Sequence, residues 1–323
     1  MKGTPAPFFA DVAGGPDGGC AYWVTTQDDV RIRVGVWTHE KAAKGTILMF
    51  PGRTEYIEKY GDFAREMQDR GYSTLAIDWR GQGLADRLLP NRSLGHVGEF
   101  TDYQWDVAAA LRLAQHLELP EPWHLVGHSM GGAIGLRAVM DGTPAVSCCF
   151  TGPMWGIYMS PAMRPASFFM TTFGPFLGLG TTKVPTTPDS GYVLESAFED
   201  NTLTTDPQMF KMMQEQLQAH PDLTLGGPTI RWLSQGVAEC NRLSRRPSPD
   251  LPCITFLGTN ERIVDVPAIH KRMEIWPRGV LELIEGGEHE VIMEAPAIRI
   301  GVFDRMAVFF DKHGHTATAG AAL

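Results

Sequence analysis

Ser129 stands at the centre of Gly127-His128-Ser129-Met130-Gly131, a G-x-S-x-G pentapeptide. A serine hydroxyl is a weak nucleophile that needs a base, itself oriented by a carboxylate, before it can attack a carbonyl. The pentapeptide is short enough to arise by chance, so its setting matters more than its match. Trp123 to Val126 read as a strand and the residues from Gly132 onward as a helix. Gly127 and Gly131 flank the serine where only small residues fit a sharp strand-to-helix turn. The helix N-terminus would lie beneath Ser129, with free N–H groups that favour a developing negative charge.

The partners are expected later in the chain, on loops that follow late strands. Gly286-Gly287-Glu288-His289-Glu290 follows the last predicted strand, and its glycines let the loop return over the sheet edge, so His289 is the expected base. The acid should follow the run CITFLG at 253–258, where two carboxylates compete. Glu261 lies close to the strand end and is favoured. Asp265 is the alternative, although it also suits the N-cap of a helix begun by PAIHKRMEIW. Two backbone donors are needed for an oxyanion: the N–H of Met130, next to the nucleophile, and that of Arg53, in the loop Phe50-Pro51-Gly52-Arg53-Thr54-Glu55. The Arg53 side chain is expected to form a structural salt bridge with Glu55 or another carboxylate. His128 reads as a packing residue, and Asp78 and Arg80 of DWRGQGLADR as braces for nearby loops.

These residues need a scaffold. Residues 21–37 pattern as a hairpin around Gln27-Asp28-Asp29, with Val30, Ile32, Val34 and Val36 alternating with Arg31, Arg33, Gly35 and Trp37. Uninterrupted apolar runs follow at 46–50, 73–79, 123–128, 146–152, 253–258 and 280–286, as in parallel strands buried on both faces. Helical stretches over 56–71, 101–120, 131–142 and 296–314 alternate with them, which predicts a doubly wound α/β sheet with right-handed crossovers. Residues 153–248 break the alternation. They carry aromatic and methionine clusters (Phe168, Phe169, Met170, Phe173, Phe176; Met209, Phe210, Met212, Met213) and read as a helical cap inserted into a core of 21–152 and 249–314. A flexible lead-in over 1–20 and a flexible tail over 315–323 complete the expected organisation.

Of 323 residues, 43% are apolar and 20% charged, the balance of an ordinary globular chain. The net charge of -9 argues against a nucleic-acid partner, which would call for concentrated positive charge. The N-terminus lacks an apolar core of signal-peptide length, and no run is long enough to span a bilayer. Five cysteines without C-x-x-C spacing fit reduced thiols of a cytoplasmic protein and offer no zinc site.

The stretches PGRTEYIEKYGDFAREMQDRGY, DWRGQGLADR, LVGHSMGG, LGTNERIVD and GGEHEVIMEAP together resemble the α/β-hydrolase superfamily, and within it the bacterial lysophospholipase and monoacylglycerol lipase group. The resemblance runs from about residue 25 to 310. It implies a mostly parallel eight-stranded sheet flanked by helices, with a cap between the sixth strand and the acid loop. It also implies Ser129 as nucleophile, His289 as base, Glu261 as acid and oxyanion donors at Arg53 and Met130. The expected activity is hydrolysis of carboxylic esters, foremost single-chain lipid esters, through an acyl-enzyme and without metal or cofactor. Short esters, thioesters, a carbon–carbon bond, or ligand binding without catalysis are the alternatives. The cap aromatics leave room for peripheral membrane contact. Two departures bear on substrate: Pro51-Gly52 replaces the His-Gly of monoacylglycerol lipases, and the acid is Glu where they usually carry Asp.

Overall fold

Six of the apolar runs become six adjacent parallel strands. The computed structural model describes residues 3–38 and 44–314. Its strands are β1 (Thr4–Ala6), β2 (Cys20–Thr25), β3 (Arg31–Trp37), β4 (Thr46–Phe50), β5 (Ser73–Asp78), β6 (Trp123–His128), β7 (Ser147–Thr151), β8 (Cys253–Gly258) and β9 (Gly279–Ile284). They form one sheet in the order β1-β2-β3-β5-β4-β6-β7-β8-β9, antiparallel from β1 to β5 and parallel from β5 to β9.

The sheet therefore has nine strands where eight were expected. Thr4–Ala6 lies beside β2, with Thr4 opposite Trp23 and Ala6 opposite Ala21. A Thr-Pro-Ala segment shows no apolar alternation, and Pro is tolerated here because β1 is an edge strand. The lead-in continues into a helical turn, α1 (Ala10–Ala13), and the ring of Phe9 stacks on His220 at 3.7 Å. At the opposite edge, β9 departs from the expected double burial: Val280 is 46% and Leu283 55% exposed. An edge strand has only one neighbour, and its outer positions face solvent. The tail expected over 315–323 lies outside the described residues.

Strand alternation divides the core in two. Leu48, Phe50, Leu75, Leu125 and Phe150 face one way, against α3 (Tyr103–His116) and α4 (Met130–Met140). Ile47, Met49, Ala76, Val126 and Cys149 face the other, against α2 (Gly61–Asp69) and α10 (Pro296–Gly314), which supply Phe63, Met67, Phe303 and Phe310. Between β7 and β8 the chain forms α5 (Arg164–Phe173), α6 (Tyr192–Glu195), α7 (Pro207–Ala219) and α8 (Ile230–Ser244), and α9 (Val266–Glu274) joins β8 to β9. Residues 153–248 contain only helices and loops as regular elements, with isolated bridges at Ile157, Lys183, Pro228 and Thr229. Among the described residues no helix is long and apolar enough to cross a membrane.

The aromatic and methionine clusters of 153–248 divide as well. Met209, Phe210 and Met213 of α7 are buried, whereas Phe168 and Phe169 are each 65% exposed and Phe176 is 88% exposed. Asp78 and Arg80 behave as braces. Asp78 accepts hydrogen bonds from Ile57 N and Leu84 N and pairs with buried Arg33, while Arg80 bridges Asp28 and Asp106.

Candidate active site

The sheet delivers Ser129 at the C-terminal end of β6, in the turn that opens α4. Its backbone adopts φ 49° and ψ -118°, a conformation that costs a residue with a side chain about 1–3 kcal/mol and persists only when the surroundings enforce it. Here they do. The Ser129 N–H donates to Thr151 O at 3.1 Å, and its carbonyl accepts from Gly132 N at 2.9 Å and Met154 N at 2.8 Å. The flanking glycines are sterically obligatory. A Cβ on Gly131 would sit 1.9 Å from Phe50 O, and one on Gly127 would sit 2.8 Å from Gly131 O.

His289 is buried in the loop after β9, and its Nδ1 lies 2.6 Å from Glu261 Oε2. Glu261 is itself fixed, because its Oε1 accepts from Ile263 N at 2.7 Å and Val264 N at 3.2 Å. Burial works against both charges, yet their mutual attraction prevails. The Glu261 carboxyl lies below the usual carboxylate range and the His289 imidazole above its usual value. Asp265 is not brought to the histidine. It occupies the N-cap position of α9, and its N–H donates to Gly156 O at 3.0 Å. Gly152, at φ 48°, makes room for the pair: a Cβ there would lie 3.0 Å from His289 Nδ1 and 3.1 Å from Glu261 Oε2.

The loop after β4 runs beside the serine turn, as the close approach of Phe50 O and Pro51 O to Gly131 requires. Among the described residues no protein acceptor takes the N–H of Arg53 or of Met130. The Arg53 side chain differs from expectation, since among the described residues it pairs with no carboxylate. Its Nη2 donates instead to the carbonyl of Gly226, between β7 and β8, its guanidinium lies 5.4 Å from the Trp232 ring, and its Nε is buried without an acceptor. Burial without a counter-charge pulls its pKa down to about 10. Glu55 is unavailable because its carboxylate is committed to Gly52 N, Tyr60 Oη and Lys59 Nζ.

A family model described as serine aminopeptidase, S33, matches residues 41–296. This chain belongs to that family of α/β-hydrolases. Lysophospholipase L2 of Escherichia coli (strain K12) is 28% identical to it over 309 residues, covering 90% of this chain and 86% of the relative. A probable lysophospholipase L2 of Haemophilus influenzae is 27% identical over 274 residues, with coverage of 84% and 85%. Among solved structures, a soluble variant of monoglyceride lipase from Saccharomyces cerevisiae superposes with a TM-score of 0.70 at 21% identity, over 91% of this chain and 95% of that one. A carboxyl esterase from Bacillus coagulans superposes with a TM-score of 0.72 at 14% identity, over 97% and 99%. Both structural likenesses speak to the fold.

In this α/β-hydrolase the site also rests on Lys59 and Glu290, to which the sequence alone assigned no role. Lys59 Nζ lies 2.7 Å from Glu55 Oε1 and 2.6 Å from Glu290 Oε2, all three side chains being buried. Glu55, His128 and Glu290 offer ligand atoms within 4.8 Å of one another, a spacing that a metal ion could use. The Lys59 ammonium already supplies the positive charge between the two carboxylates. His128 is held apart from the Glu261–His289 pair. Its Nδ1 donates to Thr151 O at 3.0 Å, and burial pushes its pKa down to about 3 against the pull of Glu55.

The segment between β7 and β8 fastens the histidine loop directly. His289 N donates to Thr202 O at 3.3 Å and Glu290 N to Leu203 O at 2.8 Å. Buried Glu294 accepts from Glu288 N at 2.7 Å and Thr205 N at 2.9 Å, tying the same loop to that segment from the other side. The i, i+4 spacing of Glu55 and Lys59 was visible in the sequence, but such a pair usually marks a solvated helix face. Only Glu290, 231 positions beyond Lys59, makes it a buried triad.

Ser129, His128, His289, Arg53 and Glu55 all line one cavity of about 530 Å³, within the range of small-molecule sites. Met154, Leu203, Met213, Leu217, Leu225 and Trp232 contribute apolar lining.

Proposed function

We propose that this α/β-hydrolase is a serine ester hydrolase acting on single-chain lipid esters. The observation that carries the proposal is the buried Glu261–His289 pair, whose histidine shares with Ser129 a cavity lined largely by apolar side chains. His289, oriented through Nδ1 by Glu261, takes the Ser129 proton at Nε2 as Oγ attacks the ester carbonyl. The N–H groups of Arg53 and Met130 receive the oxyanion. His289 then passes the proton to the departing alcohol, leaving an acyl-Ser129 ester. A water activated by the same imidazole hydrolyses that ester and releases the fatty acid.

The names carried by the bacterial and yeast relatives, lysophospholipase and monoglyceride lipase, agree with this substrate class. The family description names an aminopeptidase, but the cavity does not favour a substrate with a free amino terminus. Its two lining carboxylates, Glu55 and Glu290, are both held by Lys59. In this reading 153–248 is the cap and 21–152 with 249–314 the catalytic core. The exposed face of α5 and the adjoining Phe176 and Leu177 meet the lipid aggregate from which substrate is drawn. The five free thiols, four of them buried, fit a reducing cytoplasm.

Labelling with a fluorophosphonate tests the chemistry. The wild type should be labelled once and the Ser129→Ala variant not at all, with hydrolysis of a monoacylglycerol falling on the order of 10⁶-fold. An unlabelled wild type, or an equally labelled variant, would refute the assignment.

A further inference from the structure

Three Lys or Arg side chains line the cavity, and two of them are neutralised. Lys59 sits between Glu55 and Glu290, and Arg262 pairs with Asp200 at 2.8 Å and approaches Glu288 at 3.5 Å. Arg53 is the third, and among the described residues no carboxylate reaches it. A guanidinium stays protonated at any working pH, so it holds a full positive charge against apolar walls. A buried charge without a partner is strongly unfavourable. One donor, Nη2, is anchored on Gly226 O and the ring of Trp232 supports the plane, which orients the fork. Nη1 has no protein acceptor among the described residues, and Nε is orphaned.

We propose that Arg53 binds the anionic phosphate of a lysophospholipid head group, on the leaving-alcohol side of the ester held at Ser129. This rests on the ester-hydrolase reading above. The acyl chain requires apolar walls, so a charged guanidinium marks the side taken by the polar alcohol. The only anion formed on the acyl side is the carboxylate released at Ser129 itself, so a second anion must belong to the head group. The position suits the span. The Arg53 N–H is a proposed oxyanion donor, and its guanidinium lies one side-chain length away, comparable to the glycerol unit between ester and phosphate. The planar fork matches phosphate oxygens in a way an ammonium does not.

Binding is measured first with 1-O-alkyl glycerol phosphate, an ether that cannot be hydrolysed, against the matching 1-O-alkyl glycerol, both below their micelle thresholds. The wild type should prefer the phosphate by about tenfold or more, the worth of one charge-assisted hydrogen bond. Arg53→Gln should abolish the preference and Arg53→Lys keep part of it. A wild type without the preference, or an Arg53→Gln variant that retains it, overturns the proposal. Inorganic phosphate alone is the third ligand: binding as tight as that of the ether would reassign the site to free phosphate and overturn the head-group assignment. The ratio of kcat/KM for a lysophospholipid to that for a monoacylglycerol of the same chain should fall about tenfold in Arg53→Gln. Damage to the loop or to the Gly226 contact would lower both rates together and leave the ratio intact, which counts against the proposal. Failure of the wild type to hydrolyse either substrate would sink the ester-hydrolase reading, while the ether titration would still decide for or against the anion site.

Discussion

Glu261 and Asp265 are four residues apart, yet only Glu261 meets His289, at 2.6 Å between Oε2 and Nδ1. Asp265 begins α9 and bonds through its N–H to Gly156. The β8 strand ends at Gly258, where a Cβ would strike Gly287 O at 2.2 Å, so the two loops cross at that glycine and place position 261 opposite position 289. Glu261→Gln should therefore lower kcat by about 10⁴-fold, the scale for losing the carboxylate of a triad. Asp265→Asn should change it by only about twofold. Steady-state kinetics on the two variants decide between the carboxylates.

The same pair sets a pH profile. Burial would lower the His289 pKa, but the charge and hydrogen bond of Glu261 raise it above 6.5. As the proposed base, His289 must be neutral, so kcat/KM should fall as pH drops through that raised value, placing the acidic limb above pH 6.5. In Glu261→Gln the limb should move to lower pH. Stability follows with defined signs. The raised His289 stabilises the fold fully below pH 6.5 and loses that contribution as pH rises through its folded value. The lowered Glu261 stabilises above pH 4.5 and loses its contribution as pH falls through its own folded value. Urea unfolding should show Glu261→Gln most destabilised relative to wild type between those limits and less so at alkaline pH.

Gly152 ties the end of β7 to both partners. An alanine there would place Cβ 2.9 Å from His289 O, as well as against Nδ1 and the Glu261 carboxylate, at a φ of 48°. The backbone conformation alone should cost about 1–2 kcal/mol. Displacing the imidazole should cost about 10²-fold in kcat. Parallel urea melts and kinetics on Gly152→Ala should show a catalytic loss far larger than the stability loss.

Phe168 and Phe169 lie together on α5, each 65% exposed. Replacing both with Ser should weaken attachment to vesicles by about tenfold or more, since each buried Phe contributes about 1.5–3 kcal/mol. Hydrolysis of a monomeric, water-soluble ester should be unaffected. Vesicle sedimentation and paired assays read the difference, and equal losses on both substrates would place these rings in the cap core instead.

The parts of this protein legible in its sequence are those governed by local chemistry. Uninterrupted runs such as TILMF and WHLVGH specify strands because burial on both faces leaves no polar position. Gly127 and Gly131 specify the serine turn because a Cβ at either would overlap backbone atoms. Ser129, Glu261 and His289, in that order, follow the parallel strands β6, β8 and β9, as the strand runs of the sequence led one to expect. Other features depend on partners distant in sequence, and these only the tertiary structure decided. Thr4–Ala6 becomes a strand through main-chain pairing with β2, which no side-chain pattern announces. Lys59 becomes buried because Glu290 arrives from the far end of the chain to complete its neutralisation. Arg53 lacks the expected carboxylate because Glu55 is committed to Lys59, Tyr60 and Gly52, and the segment between β7 and β8 offers the Gly226 carbonyl instead. The choice of Glu261 over Asp265 rests on the crossing of two loops at Gly258, a steric relation between segments 29 residues apart that neither segment encodes alone.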